Sequence, residues 1–280
     1  MSLAPGPTVS PAPTALDRLR ALGRPCVMGI LNITPDSFSD GGRFLDPGIA
    51  IDHAGRMAAD GADLLDVGAE STRPYGGMQP VPFEDEVARL APVLASVVRL
   101  GLPVSIDTIK ARTADWALRQ GATIVNDVWG LQRDPDMAPV VAGHGVPVIV
   151  MHNREAVDPT IDIMAEVREF FSRSLEIAAR AGIAQVVLDP GVGFGKTPDQ
   201  SMTVIARLGE FRAFGLPLLM GLSRKRFIST VAPSEPHRRL GGSIAGSLLA
   251  VLAGADIVRV HDVAETVQAL RVAAAIRAHG

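Results

Sequence analysis

Asp107, Asn126 and Asp189 each end an apolar run, in Val104-Ser105-Ile106-Asp107, Ile124-Val125-Asn126 and Val186-Val187-Leu188-Asp189. An unpaired carboxylate is expensive to bury, so these acids need a cation such as Lys225 or the donor groups of a bound ligand. Ser223-Arg224-Lys225-Arg226 places consecutive cations where a helix should begin. That end of a helix prefers acids, which favours anion binding over a solvated basic turn. Arg259 and His261 stand two residues apart in Ile257-Val258-Arg259-Val260-His261 and point the same way if the run is a strand. With the 223–226 cluster they form a cationic wall suited to phosphate or diphosphate. Asn32, at the end of Met28-Gly29-Ile30-Leu31-Asn32, offers an amide oxygen that could hold Mg2+ beside phosphate oxygens. Arg73, in Glu70-Ser71-Thr72-Arg73-Pro74, offers a planar fork for an anion or a ring face. Asp36 and Ser37 lie in the polar stretch after Asn32 and suit a turn that touches ligand.

One stretch invites a false reading. Asp189-Pro190-Gly191-Val192-Gly193-Phe194-Gly195-Lys196-Thr197 ends like a phosphate-binding loop, but Pro190 stands where that motif's first glycine belongs and the spacing from Gly191 is one residue short. The glycines instead let backbone approach a flat ligand that Phe194 could contact. His152, in Met151-His152-Asn153-Arg154, could face the same site, but no His-x-His or carboxylate cluster marks it as a metal ligand.

These groups must be brought together by what precedes them. Eight strand-length apolar runs fall near residues 27–31, 63–67, 103–106, 122–125, 146–151, 185–188, 216–221 and 256–260. Continuous Val/Ile/Leu runs of this kind are the signature of parallel strands buried on both faces. Between them lie stretches of helical period, including Glu84 to Val98, Ala111 to Arg119, Ile163 to Ala181 and Thr203 to Ala213. Gly61, Gly121 and Gly254 stand at similar helix exits, each just before the next run. Repeated strand-helix units without a linker break predict a single (β/α)8 TIM barrel of the α/β class, its active site at the C-terminal ends of the strands. A doubly wound open sheet would need two edge strands, and none of the eight runs is charged or proline-broken enough to be one.

The expected organisation is an N-terminal extension over residues 1–24, its first part flexible, followed by the barrel over 25–280. Residues 1–13 are rich in Pro, Ala and Ser and lack the layout of a secretory signal. With 47% hydrophobic and 20% charged residues and a net charge of -3, the chain suits neither disorder nor general nucleic-acid binding. No apolar run is long enough to span a bilayer. A single cysteine, Cys26, allows no internal disulfide. A soluble, cytoplasmic protein is expected.

The ordered set of motifs resembles the dihydropteroate synthase family of pterin-binding enzymes. From about Cys26 to Ala278 it includes Gly29-Ile30-Leu31-Asn32-Ile33-Thr34-Pro35-Asp36-Ser37-Phe38-Ser39-Asp40-Gly41-Gly42, Glu70-Ser71-Thr72-Arg73-Pro74, Ser105-Ile106-Asp107-Thr108, Asn126-Asp127-Val128, the Asp189-to-Thr197 stretch, Ser223-Arg224-Lys225 and Arg259-Val260-His261-Asp262-Val263. The resemblance implies a Mg2+-dependent transferase of folate biosynthesis and a sulfonamide target. It would condense (7,8-dihydropterin-6-yl)methyl diphosphate with 4-aminobenzoate, releasing diphosphate and forming 7,8-dihydropteroate. By the same resemblance Asp107, Asn126, Asp189 and Lys225 line the pterin pocket; Thr72, Arg259 and His261 hold diphosphate; and Asn32 coordinates Mg2+. Loops bearing Asp36, Phe38, Arg73 and Pro74 would close over the site and complete the aminobenzoate pocket with Phe194 and Lys225. Asp107, Asp36, Arg73 and Lys225 are the expected catalytic residues, and a homodimer is the family expectation.

Three places depart from the family pattern: Tyr75-Gly76-Gly77 replaces the usual glycine after Arg73-Pro74, His152-Asn153-Arg154 lacks the common glycine after Met-His, and the connection that follows is short. None of them removes a pterin or diphosphate residue. A pterin-binding methyltransferase domain shares the acidic and amide contacts but needs no diphosphate wall. A non-catalytic pterin-binding paralogue would not need Asn32, Asp36 and Arg73.

Overall fold

A computed structural model describes residues 12–34, 46–70 and 81–279. Asp36, Phe38, Thr72, Arg73, Pro74, the Tyr75-Gly76-Gly77 step and the first eleven residues lie outside the described residues. The apolar runs form eight strands: β1 Cys26–Asn32, β2 Leu64–Gly68, β3 Val104–Asp107, β4 Ile124–Asp127, β5 Val148–Met151, β6 Val186–Asp189, β7 Leu219–Gly221 and β8 Ile257–Val260. All seven pairings are parallel, in the order β6-β5-β4-β3-β2-β1-β8-β7. An isolated parallel bridge between Leu188 and Leu218 and a 2.9 Å bond from Leu188 N to Pro217 O join β6 to the start of β7. The sheet therefore meets itself as a barrel.

Among the described residues ten helices accompany the strands: α1 Ala15–Arg20, α2 Pro47–Ala59, α3 Phe83–Val98, α4 Ala111–Arg119, α5 Met137–His144, α6 Ile163–Ala181, α7 Pro198–Ala206, α8 Arg226–Val231, α9 Leu240–Leu252 and α10 Val263–Arg277. The helix expected over Thr203 to Ala213 starts earlier and breaks midway. Thr197 and Gln200 cap it reciprocally with Pro198 in the first turn, and after Arg207 the chain tightens into a 3-10 helix over Leu208–Phe214. Gly61, Gly121 and Gly254 all take positive φ, at 98°, 104° and 103°, which accounts for glycine at each exit.

Strand alternation divides the apolar residues into two bodies. Outward side chains such as Val27, Leu65, Val104, Val125, Val186 and Val258 pack beneath the helices. Inward ones, Met28, Leu64, Ile124, Ile149, Val187, Leu219 and Ile257, form a separate cluster with Ala15, Leu16 and Leu19 of α1. Helix α1 thus plugs the N-terminal end of the barrel. Thr14 caps it in a capping box with Asp17, and Gln185 Nε2 donates to Asp17 Oδ1 at 2.8 Å, tying the plug to the entry of β6. The opposite end is left for chemistry.

Candidate active site

Continuing the inward alternation past the apolar layer brings up polar residues. Two positions beyond Leu64 lies Asp66, beyond Ile124 lies Asn126, beyond Val187 lies Asp189, and beyond Ile257 lies Arg259. Ser105 and Asp107 share this face, because Val104 and Ile106 belong to the outer body. Register sets Asp66 beside Ser105, Gly68 beside Asp107 and Asp107 beside Asn126. A Cβ on Gly68 would stand 3.2 Å from that of Asp107, so glycine leaves room for the acid.

Arg259 organises the floor of this mouth. Its Nε donates to Asp66 Oδ2 at 2.6 Å and its Nη2 to Asp107 Oδ2 at 3.0 Å, while Asn126 Nδ2 also donates to Asp66 Oδ2 at 3.0 Å. Two carboxylates on one guanidinium leave an excess of negative charge. Burial, and next the charge of Asp66, push the Asp107 carboxyl up to about 8, against the pull of Arg259. Asp66 Oδ1, Ser105 Oγ and Asp107 Oδ1 are buried with no partner among the described residues. Buried polar atoms are seldom left this way, so they form an acceptor-rich edge fit for a ligand's N–H groups.

Across the mouth, Asp189 accepts the Gly191 N–H at 2.8 Å and is raised above the carboxylate range by burial, with Lys225 opposing. Lys225, just after β7, donates to Val192 O at 2.5 Å and stands 4.8 Å from the Phe194 ring centroid. Burial pushes its ammonium down to about 8, although Asp189 holds it up. Asp107, Asn126, Asp189, Lys225 and Arg259 are therefore gathered on one face, with Phe194 at its edge. Asp127 is not among them: it points the other way and accepts N–H bonds from Trp129 at 2.9 Å and Leu131 at 2.7 Å, which close a turn.

The cationic wall is divided. Arg224 takes φ 61° and turns to Asp262, with Nη2 to Oδ1 at 2.5 Å, while Arg226 opens α8. His261 lies just beyond β8, its Nδ1 3.0 Å from Ser223 Oγ. Lys225 and Arg259 lie against the buried acids. Asn32, inward by the same alternation as Met28, is half-buried at the rim of β1, and no described residue bonds its side chain. Among the described residues no group of three or more His, Cys, Asp or Glu could hold a metal ion.

Comparison with known proteins fits this geometry. The family model described as "Pterin binding enzyme" matches residues 28–261, from the first strand to the histidine after the last. The chain belongs to the pterin-binding enzyme family. Within that family it is 45% identical over 240 residues to the dihydropteroate synthase of Bacillus subtilis (strain 168), covering 85% of this chain and 83% of that one. Among solved family structures, Xanthomonas albilineans dihydropteroate synthase with 4-aminobenzoic acid superposes with a TM-score of 0.87 at 44% identity, covering 92% of this chain and 94% of that one. The Yersinia pestis dihydropteroate synthase with a sulfonamide drug gives 0.85 at 40% identity, covering 92% and 96%.

Three residues that shape this region do not stand out in the sequence. Asp66 sits inside an apolar run rather than at its end, and its signal was an acid at the same parity as Leu64. Ser105 lies in Ser105-Ile106-Asp107-Thr108, but only its pairing with Asp66 gives it weight. Lys196 ends a stretch that only mimics a phosphate-binding loop, yet it is 1% exposed and bonded to His152.

Proposed function

We propose that this protein is a dihydropteroate synthase, joining 4-aminobenzoate to (7,8-dihydropterin-6-yl)methyl diphosphate with release of diphosphate. The observation that carries this reading is the unpartnered acid edge of Asp66 and Asp107 beside Asn126, opposite Lys225 and above Arg259. A pterin's amino and ring N–H groups match those acceptors. Asn126 turns its amino group to Asp66, which leaves its carbonyl oxygen for the ligand.

In the reaction the C–O bond to diphosphate breaks and its electron pair leaves with the phosphate oxygen. The amine nitrogen of 4-aminobenzoate then bonds to the methylene carbon and loses a proton. Asp107 would stabilise positive charge developing on the pterin, and Lys225 with Phe194 would border the incoming ring. Arg259, His261 and Thr72 would hold the diphosphate; Arg259 uses one Nε and one Nη2 hydrogen on its two acids, which leaves three N–H groups for phosphate oxygens. Asp36 and Arg73 are assigned to closing the site. Asn32 fits Mg2+: a hard oxygen donor at the rim with no competing bond from the described residues, beside a substrate supplying phosphate oxygens. Mg2+ bound there would supply charge neutralisation to the leaving diphosphate.

Exposed Leu249 and Leu252 on α9, with Val272 and Ile276 on α10, support a homodimer, which sedimentation would report. No described helix is long and apolar enough to cross a membrane, consistent with the proposed cytoplasmic location. The deciding experiment incubates purified full-length chain with Mg2+ and each substrate. Diphosphate should appear only with both present, and sulfonamide should compete with the amine. Intact pterin binding without product would leave a non-catalytic binder.

A further inference from the structure

The buried pair His152 and Lys196 takes no part in the reaction described above, yet it sits directly beneath the loop that carries Phe194. Lys196 Nζ is enclosed by three acceptors: Gly191 O at 2.8 Å, Phe194 O at 3.1 Å and His152 Nδ1 at 2.6 Å. Burial lowers the lysine's pKa well below its ordinary value, with Asp189 opposing, but three surrounding acceptors call for the three hydrogens of an ammonium where a neutral amine has two. With Nδ1 accepting, the proton of a neutral imidazole lies on Nε2, which is buried without a partner among the described residues. Burial, and then Lys196, hold His152 at about 2, in keeping with a neutral ring. The ring is wedged edge-on against Phe170, with centroids 4.9 Å apart.

The loop is wound around this ammonium. Gly191, Gly193 and Gly195 take φ of 64°, 84° and 55°, and a Cβ on Gly191 would fall 1.9 Å from His152 O. The close fit turns the carbonyls of Gly191 and Phe194 inward to Lys196, whereas that of Val192 faces Lys225. Successive carbonyls are thus divided between an internal and an external lysine. We propose that His152 and Lys196 are positioning residues, the internal half of a two-lysine clamp that fixes Phe194 and Val192 and so sets the subsite for the aromatic amine. This assignment of the subsite rests on the proposed synthase activity, whereas the clamp itself does not. It also gives the Gly-Lys-Thr sequence a use unrelated to nucleotides: the lysine binds its own loop.

The test compares wild type with Lys196→Met, His152→Leu and His152→Gln as full-length proteins. Losing a charge-assisted buried bond is worth about 10-fold or more in an equilibrium. Lys196→Met should therefore raise KM for 4-aminobenzoate by about that factor, leaving Kd for the pterin diphosphate, measured without the amine, within about 3-fold. His152→Leu should show the same split, and His152→Gln, which retains an acceptor, should recover most of it. Hydrogen exchange should quicken in the 190–197 peptide of Lys196→Met and His152→Leu and not across the barrel strands. An unchanged KM for the amine with unchanged exchange overturns the proposal, as does an equal loss of pterin affinity. If Lys196→Met does not fold, the two His152 variants decide by the same criteria. If wild type releases no diphosphate the synthase reading fails, and loop exchange alone decides whether the clamp exists.

Discussion

Replacing Asp66 by alanine tests the floor of the site most directly. Asp66 is completely buried, and its Oδ2 accepts one bond from Arg259 and one from Asn126. Both bonds end on a charged carboxylate and are worth about 1.5 to 2 kcal/mol each. Above about pH 8, where Asp107 is ionised, relief of repulsion with it offsets part of this, while Arg259 loses more than the bond alone. A net cost of about 3 kcal/mol is expected, at the low end for breaking a buried pair. That corresponds to roughly 6 to 12 °C in Tm. Urea unfolding of the ligand-free protein at several pH values would supply the assay. Asp107 titrates in the fold at about 8 rather than 3.8, so the stability it contributes is complete below about pH 4 and is lost as pH rises towards 8. Asp66→Ala removes the neighbouring negative charge, so this loss should shrink and shift to lower pH. A cost below about 1 kcal/mol together with an unaltered pH slope would refute the shared-guanidinium arrangement.

Three further outcomes follow from other parts of the molecule. Gly191→Ala, which would force a Cβ to 1.9 Å from His152 O at a positive φ, should cost more than about 3 kcal/mol by denaturant unfolding, whereas Gly143→Ala, with open space around it, should not. Lys225 should lose its proton as pH rises through about 8; affinity for 4-aminobenzoate should fall there, and Lys225→Arg should abolish the break in the pH profile. Cys26, buried at the plugged end with its thiol pushed up to about 12, should resist thiol reagents at pH 8 until the chain unfolds; rapid labelling of native protein would contradict the plug.

The barrel was legible because each strand is short, apolar and punctuated. Leu64–Gly68, for example, is buried throughout and had no polar alternation to suggest an open face. The ends of the runs revealed Asp107, Asn126 and Asp189 for the same reason: a polar residue directly after a buried strand must face the mouth or the helices, and parity decides which. Parity also shows why Asp127, although adjacent to Asn126, belongs to a turn. What remained hidden depended on long-range partners. Arg259 and His261 point the same way, but only the fold reveals that Arg259 reaches Asp66 and Asp107 whereas His261 meets Ser223. Likewise, no local pattern in Arg224-Lys225-Arg226 shows that Asp262, 38 residues on, claims Arg224.

The barrel is not sewn with equal strength all the way round. Between β6 and β7 the backbone contact consists of one isolated bridge at Leu188 and Leu218 with the bond from Leu188 to Pro217, where the other neighbouring strands share registers of three to five residue pairs. Asp189 lies at the top of one lip of this seam and Lys225 just past the other. A molecule held by both would act as a stitch across the weakest join, so occupancy and closure of the barrel become a single mechanical event.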